Sequence, residues 1–535
     1  YRRQRQMCIR DSLNNASISN TTTAPIKVLD AKKVILTLAD NTTNTITDSS
    51  RLSTEEDYSA VIYSKEDLII NGNGTLNVNA GYRNGIKSTD DCIIVSGTLN
   101  ITSTEDGIIG KDLCGIVAGD ININAGSDGI KSTYDTDTTK GNVIIEGGNI
   151  TIKASNDGIQ AENILVINDG TINIKTNNGA ADTTQTHIDN MDMGRGGFGF
   201  NNNKTTTTTD DTSESRKGIK AGNMLIINDG DITIDSDDDS VHCNSVIYIY
   251  GGTINAATGD DGVHADDLLT VNGGTINITQ CYEGLEADDI VINDGDISVV
   301  SSDDGINSSD GSITINGGNL LINASGDGLD ANGSIIINGG YIVVLGPTSD
   351  GDTAIDYDDS CTINGGTVMA FGSSGMLEIP KGASNGACIV TAFTSVSGGS
   401  KYTLSDSNGN EILSYTPSKA YAAAIVYSDK ITTGNTYNIT AGSTTLSIEV
   451  TSDVTSNVSS GFGGAGGMNK PGNGGSGMPN NGSSDNGMNG NSNGSMPDMS
   501  GNGAPDMNGN SSGDMPSMGG NSSNNSGNTV SYTHL

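Results

Sequence analysis

The 535-residue chain contains no Trp, and aromatic residues make up only 4% of it. So few rings leave little for stacking against sugars or bases. Basic residues are also scarce: 26 Lys and Arg stand against 64 Asp and Glu, a formal net charge of −38. That balance excludes nucleic acid as a partner, because phosphate binding needs a basic face. No apolar run approaches the roughly 18 residues of a membrane helix, so no span is expected. No Cys-x-x-Cys spacing points to a zinc site. Cys92 and Cys114 lie one repeat apart instead and should stack, as buried thiols in preference to a disulfide.

What the chain has is glycine, 74 residues of it, set in a fixed rhythm. From Asn84 to Gly366 one phrase returns about every 22 residues: Asp-Gly-Ile-x-Ala, a gap, then Ile-x-Ile-x-Gly-Gly-x-Ile-x-Ile. The Gly-Ile step recurs at Gly85, Gly107, Gly129, Gly158 and onward to Gly328, with Ser240 and Ala354 as substitutes. A fixed period of this length marks a solenoid. Apolar residues alternate in short Ile- and Val-rich runs, as in Thr275-Ile276-Asn277-Ile278. Period-two alternation argues strand, and the Gly and Asn between runs supply tight corners. The expected fold is all-β: a right-handed parallel β-helix of about 12 coils, with a small C-terminal antiparallel segment and a disordered tail.

The organisation expected along the chain begins at 1–12, which read as a translated sequencing-adapter fragment, as do Val530–Leu535. The lack of a visible signal peptide therefore carries no weight. Residues 13–60 read as an N-terminal cap region and 61–375 as the β-helix, with a mobile insertion at 177–215. Alternating runs over 376–452 suggest a C-terminal β segment. Residues 453–535 are Gly, Asn, Ser and Met, a composition that cannot bury a core.

The chemistry concentrates in the second half of the helix, where no Lys or Arg occurs between Ala221 and Gly375. Acids recur there at fixed coil positions, so they must stack about 4.8 Å apart. Stacked carboxylates repel unless something neutralises them, and hard divalent cations with six to eight oxygen ligands fit best. Calcium is the expected cofactor. Its candidate ligands are Asp238, Asp239, Asp260, Asp261, Asp266, Glu283, Glu286, Asp288, Asp303, Asp304, Asp327 and Asp330. His242 and His264 read equally as further ligands or as plain ladder residues. The matching positions of the first half carry Lys87, Lys131 and Lys220.

The phrases Ser64-Lys65-Glu66-Asp67-Leu68, Gly72-Asn73-Gly74-Thr75-Leu76 and Asp128-Gly129-Ile130-Lys131 resemble the clostridial carbohydrate-binding β-helix family over roughly residues 25–450. The resemblance implies a pectate-lyase-like fold, bound calcium, and an extracellular, secreted or cell-surface bacterial protein. It also implies attachment to plant cell-wall polysaccharide such as polygalacturonate or cellulose; it identifies no sugar-binding residue. A calcium-dependent lyase would also need a Lys or Arg base, and Lys131, Lys220 or Arg216 would have to reach across several coils. A hydrolase would need a cationic clamp beside its carboxylate pair. Non-catalytic binding by a monomer is thus the preferred reading. A polysaccharide lyase comes second and a structural adhesin or spacer third.

Overall fold

Alternating Ile and Val residues give this chain strands mostly of three to six residues, far too short to bury anything alone. In the computed structural model, which describes residues 8–49, 58–183 and 215–458, each strand instead stacks on its equivalent one coil away. A representative coil carries strands Thr98–Ser103, Ile108–Gly110 and Leu113–Ile116, with a corner after each. Every one pairs in parallel with its successor: Thr98↔Asp120 through Ser103↔Ala125, Ile108↔Ile130, and Leu113↔Asn142 through Ile116↔Ile145. Leu99 and Ile101 therefore sit on Ile121 and Ile123, then on Ile150 and Ile152, all of them buried. Each such Ile contributes about 1.5–3 kcal/mol relative to exposure. The core runs on as one continuous apolar column from Leu13 to Tyr427.

Two glycine series hold the coils together for different reasons. Gly119 has φ 122°, a backbone conformation that favours glycine, at the corner between strands. Gly107 is there for space: a Cβ would lie 2.5 Å from the Gly129 carbonyl oxygen and 2.6 Å from Ile123 Cγ2. Outside the corner an asparagine ladder runs along the stack, with Asn228 Nδ2 donating to Asn168 Oδ1 at 2.7 Å and Asn338 to Asn316 at 2.8 Å.

The parallel solenoid has about 15 turns, more than the 12 counted from the repeat. The extra turns lie at the N-terminus. Strand Cys8–Leu13 pairs with Lys33–Leu38, which pairs with Leu68–Gly72, and Ser17–Asn20 pairs with Thr43–Asp48. Lys33–Leu38 and Thr43–Asp48 keep the buried alternation but lack the Gly-Ile step, so the repeat count passes over them. Residues expected as a cap thus wind in the same parallel register, and so does the end of the segment read as adapter.

At the other end, Thr367–Gly372 pairs antiparallel with Tyr421–Ser428, which also pairs antiparallel with Ala387–Val396. That reversal covers the last parallel edge. A four-stranded sheet of Tyr402–Asp406, Glu411–Tyr415, Thr436–Ala441 and Thr444–Glu449 packs on a second core around Phe371 and Tyr402. Cys92 and Cys114 are register partners, buried and unbridged. Most of the expected insertion, the tail beyond 458 and Val530–Leu535 lie outside the described residues. Among the described residues no helix is long and apolar enough to cross a membrane.

Candidate functional site

Each coil turns one corner immediately before its Gly-Ile step, and the residues there form two parallel rows. The residue before the glycine is Asp106, Asp128, Asp157, Lys217, Asp239, Asp261, Glu283, Asp304 and Asp327 in successive coils. Two places after the glycine, register pairing stacks Lys131, Gln160, Lys220, His242, His264, Glu286, Asn307, Asp330 and Asp356.

The first row has a structural role that spacing alone does not reveal. One oxygen of each Asp accepts the backbone N–H of the equivalent residue in the next coil. Asp106 takes Asp128 N–H at 3.1 Å, Asp128 takes Asp157 at 3.0 Å, Asp239 takes Asp261 at 3.0 Å and Asp261 takes Glu283 at 3.1 Å. Asp304 caps Asp327 at 2.6 Å, and Asp327 caps Thr353. These bonds tie coil to coil alongside backbone bonds such as Gly107 N–H to the Asp128 carbonyl at 2.9 Å. The second oxygen of each carboxylate remains for the face beside it.

Along that face the charge is handled in three ways. In the first coils lysines pair directly, as with Lys131 Nζ on Asp128 Oδ2 at 2.6 Å. Next, Lys217 Nζ lies 2.8 Å from Asp238 Oδ1 and 2.7 Å from Asp239 Oδ2, while Arg216 Nη1 lies 3.2 Å from Asp237 Oδ2. Burial alone would raise the Asp239 carboxyl, but the Lys217 ammonium and the two histidines hold it well below the usual range. Burial alone would lower Lys217, but Asp239 and Asp238 raise it above the ordinary lysine value. The ladder expected to lack cations thus begins with one, contributed by a residue just before the acidic stretch.

The second device is histidine. His242 is buried, with Nδ1 2.9 Å from Asp239 Oδ2 and Nε2 2.9 Å from Asn244 Oδ1. His264 meets it edge-on, ring centroids 4.8 Å apart. Its Nδ1 is 3.6 Å from Asp239, 3.5 Å from Asp261 and 3.4 Å from Glu286, and its Nε2 is 3.7 Å from Asp266. Burial opposes the charge on this ring, yet Asp239, Asp261 and Glu286 raise it to about 11.

Further on, the carboxylates stand without a protein cation. Asp304, Asp327 and Asp330 bring ligand oxygens within 4.8 Å of one another. Among the described residues none of the three has an ion-pair partner. Burial, then the neighbouring acids, pushes Asp304 up to about 8, Asp327 to about 9 and Asp330 to about 7. Glu283 rises to about 8 from burial and Glu286, although Asn307 Nδ2 donates to it at 2.8 Å. Such an array holds either protons or a hard cation.

Of the other expected ligands, Asp238 and Asp260 converge with Asp239. Asp266 is half exposed beside His264, and Asp288 accepts the Ser309 hydroxyl at 3.2 Å. Asp303 adds its charge beside Asp304. Among the described residues, Asp266, Asp288 and Asp303 fall in none of the three-ligand groupings. Asp67, Asp90 and Asp91 form one on a different corner, which the sequence reading passed over. Their signal was a 23-residue step from Asp67 to Asp90, in coils where lysines mask the acidity. Tyr250 is 52% exposed, and its ring stacks with that of Tyr248 at 6.4 Å between centroids.

A family profile described as a carbohydrate-binding domain-containing protein matches residues 4–262 and 260–447. Over 93 residues the chain is 39% identical to a carbohydrate-binding domain-containing protein of Acetivibrio thermocellus, an overlap of 17% of this chain. It spans about a third of that relative's length, 32%. Among solved structures it is similar to a polysaccharide lyase-like protein from C. thermocellum, determined as a gadolinium derivative. The identity is 35%, covering 32% of this chain and 71% of that one, with a TM-score of 0.32.

Proposed function

The chain belongs to the carbohydrate-binding domain-containing family, and from that membership we propose a non-catalytic binder of plant cell-wall polysaccharide, pectic polyuronate foremost, acting outside the bacterial cell. Calcium on the acidic face bridges the polymer's carboxylates to the protein. The observation that carries this reading is the convergence of Asp304, Asp327 and Asp330 without a protein cation. Those residues fit calcium: all three offer oxygens, and Asp303 and Asp356 add charge at the rim. Calcium in this seat would supply a positive centre with coordination positions left for uronate oxygens; the protein's part is to fix the carboxylates through the caps on Asp327 and Thr353.

A lyase reading is disfavoured by the cations themselves. A base must be able to lose its proton, and Lys217 is held protonated by two aspartates. Lys131 is paired with Asp128, and Lys220 donates to Ser215 at 3.3 Å, several coils from the calcium seat. The test is retention on polygalacturonate in calcium and in chelator, with cellulose alongside and unsaturated product followed by ultraviolet absorbance. Calcium-dependent retention without product is expected. Product would make the protein a lyase, and absence of retention on either polymer would leave a structural spacer.

A further inference from the structure

We propose that the histidine end of the ladder is a second, chemically distinct cation seat. It takes one borderline divalent ion of the Zn²⁺ class, bound by Asp261 Oδ2, His264 Nδ1 and Glu286 Oε2. The proposal does not rest on the calcium seat at Asp304, Asp327 and Asp330, because it uses other residues and a different ligand type.

Three observations support it. The first is spacing. His264 Nδ1 lies 3.4–3.6 Å from carboxylate oxygens of Glu286, Asp261 and Asp239. A ring N–H donating to any one of them would draw it to about 2.7–3.2 Å. Ligand atoms arranged tetrahedrally at about 2.0–2.1 Å from a common ion sit roughly 3.3–3.4 Å apart. The nitrogen sits at co-ligand spacing from these oxygens, farther than an ordinary hydrogen bond to any one of them.

The second is what already neutralises each acid. Lys217 covers Asp238 and Asp239 at 2.8 and 2.7 Å, and its side chain is largely buried against them. Asp261 and Glu286, one and two coils further, have no lysine or arginine among their ion-pair partners in the described residues; His264 is the only basic group they meet. Negative charge therefore remains at the Asp261–His264–Glu286 face.

The third is the outer nitrogen of His264. Asp266, 3.7 Å from His264 Nε2, stands where a carboxylate orients a metal-bound histidine through its outer nitrogen. Imidazole favours zinc, cobalt, nickel and copper over calcium, so the two ends of one ladder sort cations by ligand chemistry. With three protein ligands the ion keeps a position open to solvent or a sugar oxygen.

The test uses the full chain, stripped with chelator and then saturated with calcium. Zn²⁺ is titrated by calorimetry and Co²⁺ by visible absorption. The expected result is one ion per chain, with Co²⁺ bands of nitrogen and oxygen ligation and no thiolate charge-transfer band. His264→Gln and Glu286→Gln should each weaken Zn²⁺ binding at least about tenfold, while Asp327→Asn leaves it unchanged. Unchanged Zn²⁺ affinity in both variants would overturn the proposal. So would a thiolate band that puts the ion on cysteine, or a wild-type chain that takes up no Zn²⁺, His264 then serving as a protonated counter-ion. The wild-type Co²⁺ spectrum and Glu286→Gln decide the matter even if His264→Gln fails to fold.

Discussion

Substituting Asp327 by Asn removes one charge from the cation-free end of the ladder and little else. The amide oxygen can still accept the Thr353 N–H, so the link to the next coil is kept. Burial raises the Asp327 carboxyl to about 9 despite that N–H, with Asp304 and Asp356 adding to the rise. The gap from an ordinary aspartate near 3.8 caps the cost of ionising it at roughly 7 kcal/mol, at about 1.4 kcal/mol per tenfold in proton affinity. Partial exposure and relaxation reduce that to about 2–3 kcal/mol. In chelator the Asn variant should therefore be more stable than wild type by this amount. In calcium the order should reverse by about 1–2 kcal/mol, because an ion at about 1,000 times its Kd stabilises the wild-type fold by ~4.1 kcal/mol and the variant loses it. Urea unfolding in calcium and in chelator reads both. A variant less stable in both conditions would mean that Asp327 serves only as a cap. One more stable in both would mean that no cation binds there.

Other consequences are equally direct. In chelator, stability should fall as pH rises: Asp330, Glu283, Asp304 and Asp327 bind protons more tightly folded than unfolded, up to about 7, 8, 8 and 9. Their contribution is full below about pH 4 and is lost through pH 7–9, a trend that melting at pH 5 and pH 9 should show and calcium should flatten. Lys217→Met leaves Asp238 and Asp239 without their lysine and should cost about 3–5 kcal/mol in urea unfolding. Gly107→Ala, whose Cβ would lie 2.5 Å from the Gly129 carbonyl, should destabilise by more than about 3 kcal/mol, whereas Gly351→Ala, with nothing within 4 Å, should be neutral.

The solenoid was legible because its physics is periodic. A Gly at the corner and an Ile two strands on must recur at one step if coils are to stack, so Gly107, Gly129 and Gly158 announce the fold. The first turns were missed because Lys33–Leu38 and Thr43–Asp48 alternate without that glycine, and alternation alone carries no period. The acidic rows were legible as rows, but their division of labour was not. Lys217 falls outside the acid-only stretch in sequence yet lies against it in space, since Lys220, three residues on in the same coil, is the register partner of His242. The capping role of the first row depends on which oxygen faces the next coil's N–H, a matter of side-chain direction. Its one trace in the sequence is that Asp106, Asp128 and Asp157 hold the position where lysines are plentiful and no excess acid needs a cation.

The most direct test of the account is calorimetric titration of oligogalacturonate into wild type and Asp327→Asn, each in calcium and in chelator. The account predicts binding by wild type in calcium alone, with the variant weakened at least about tenfold and chelator abolishing it in both. Equal binding by both proteins in chelator would contradict it, placing the polysaccharide on a surface that needs neither calcium nor the acidic ladder.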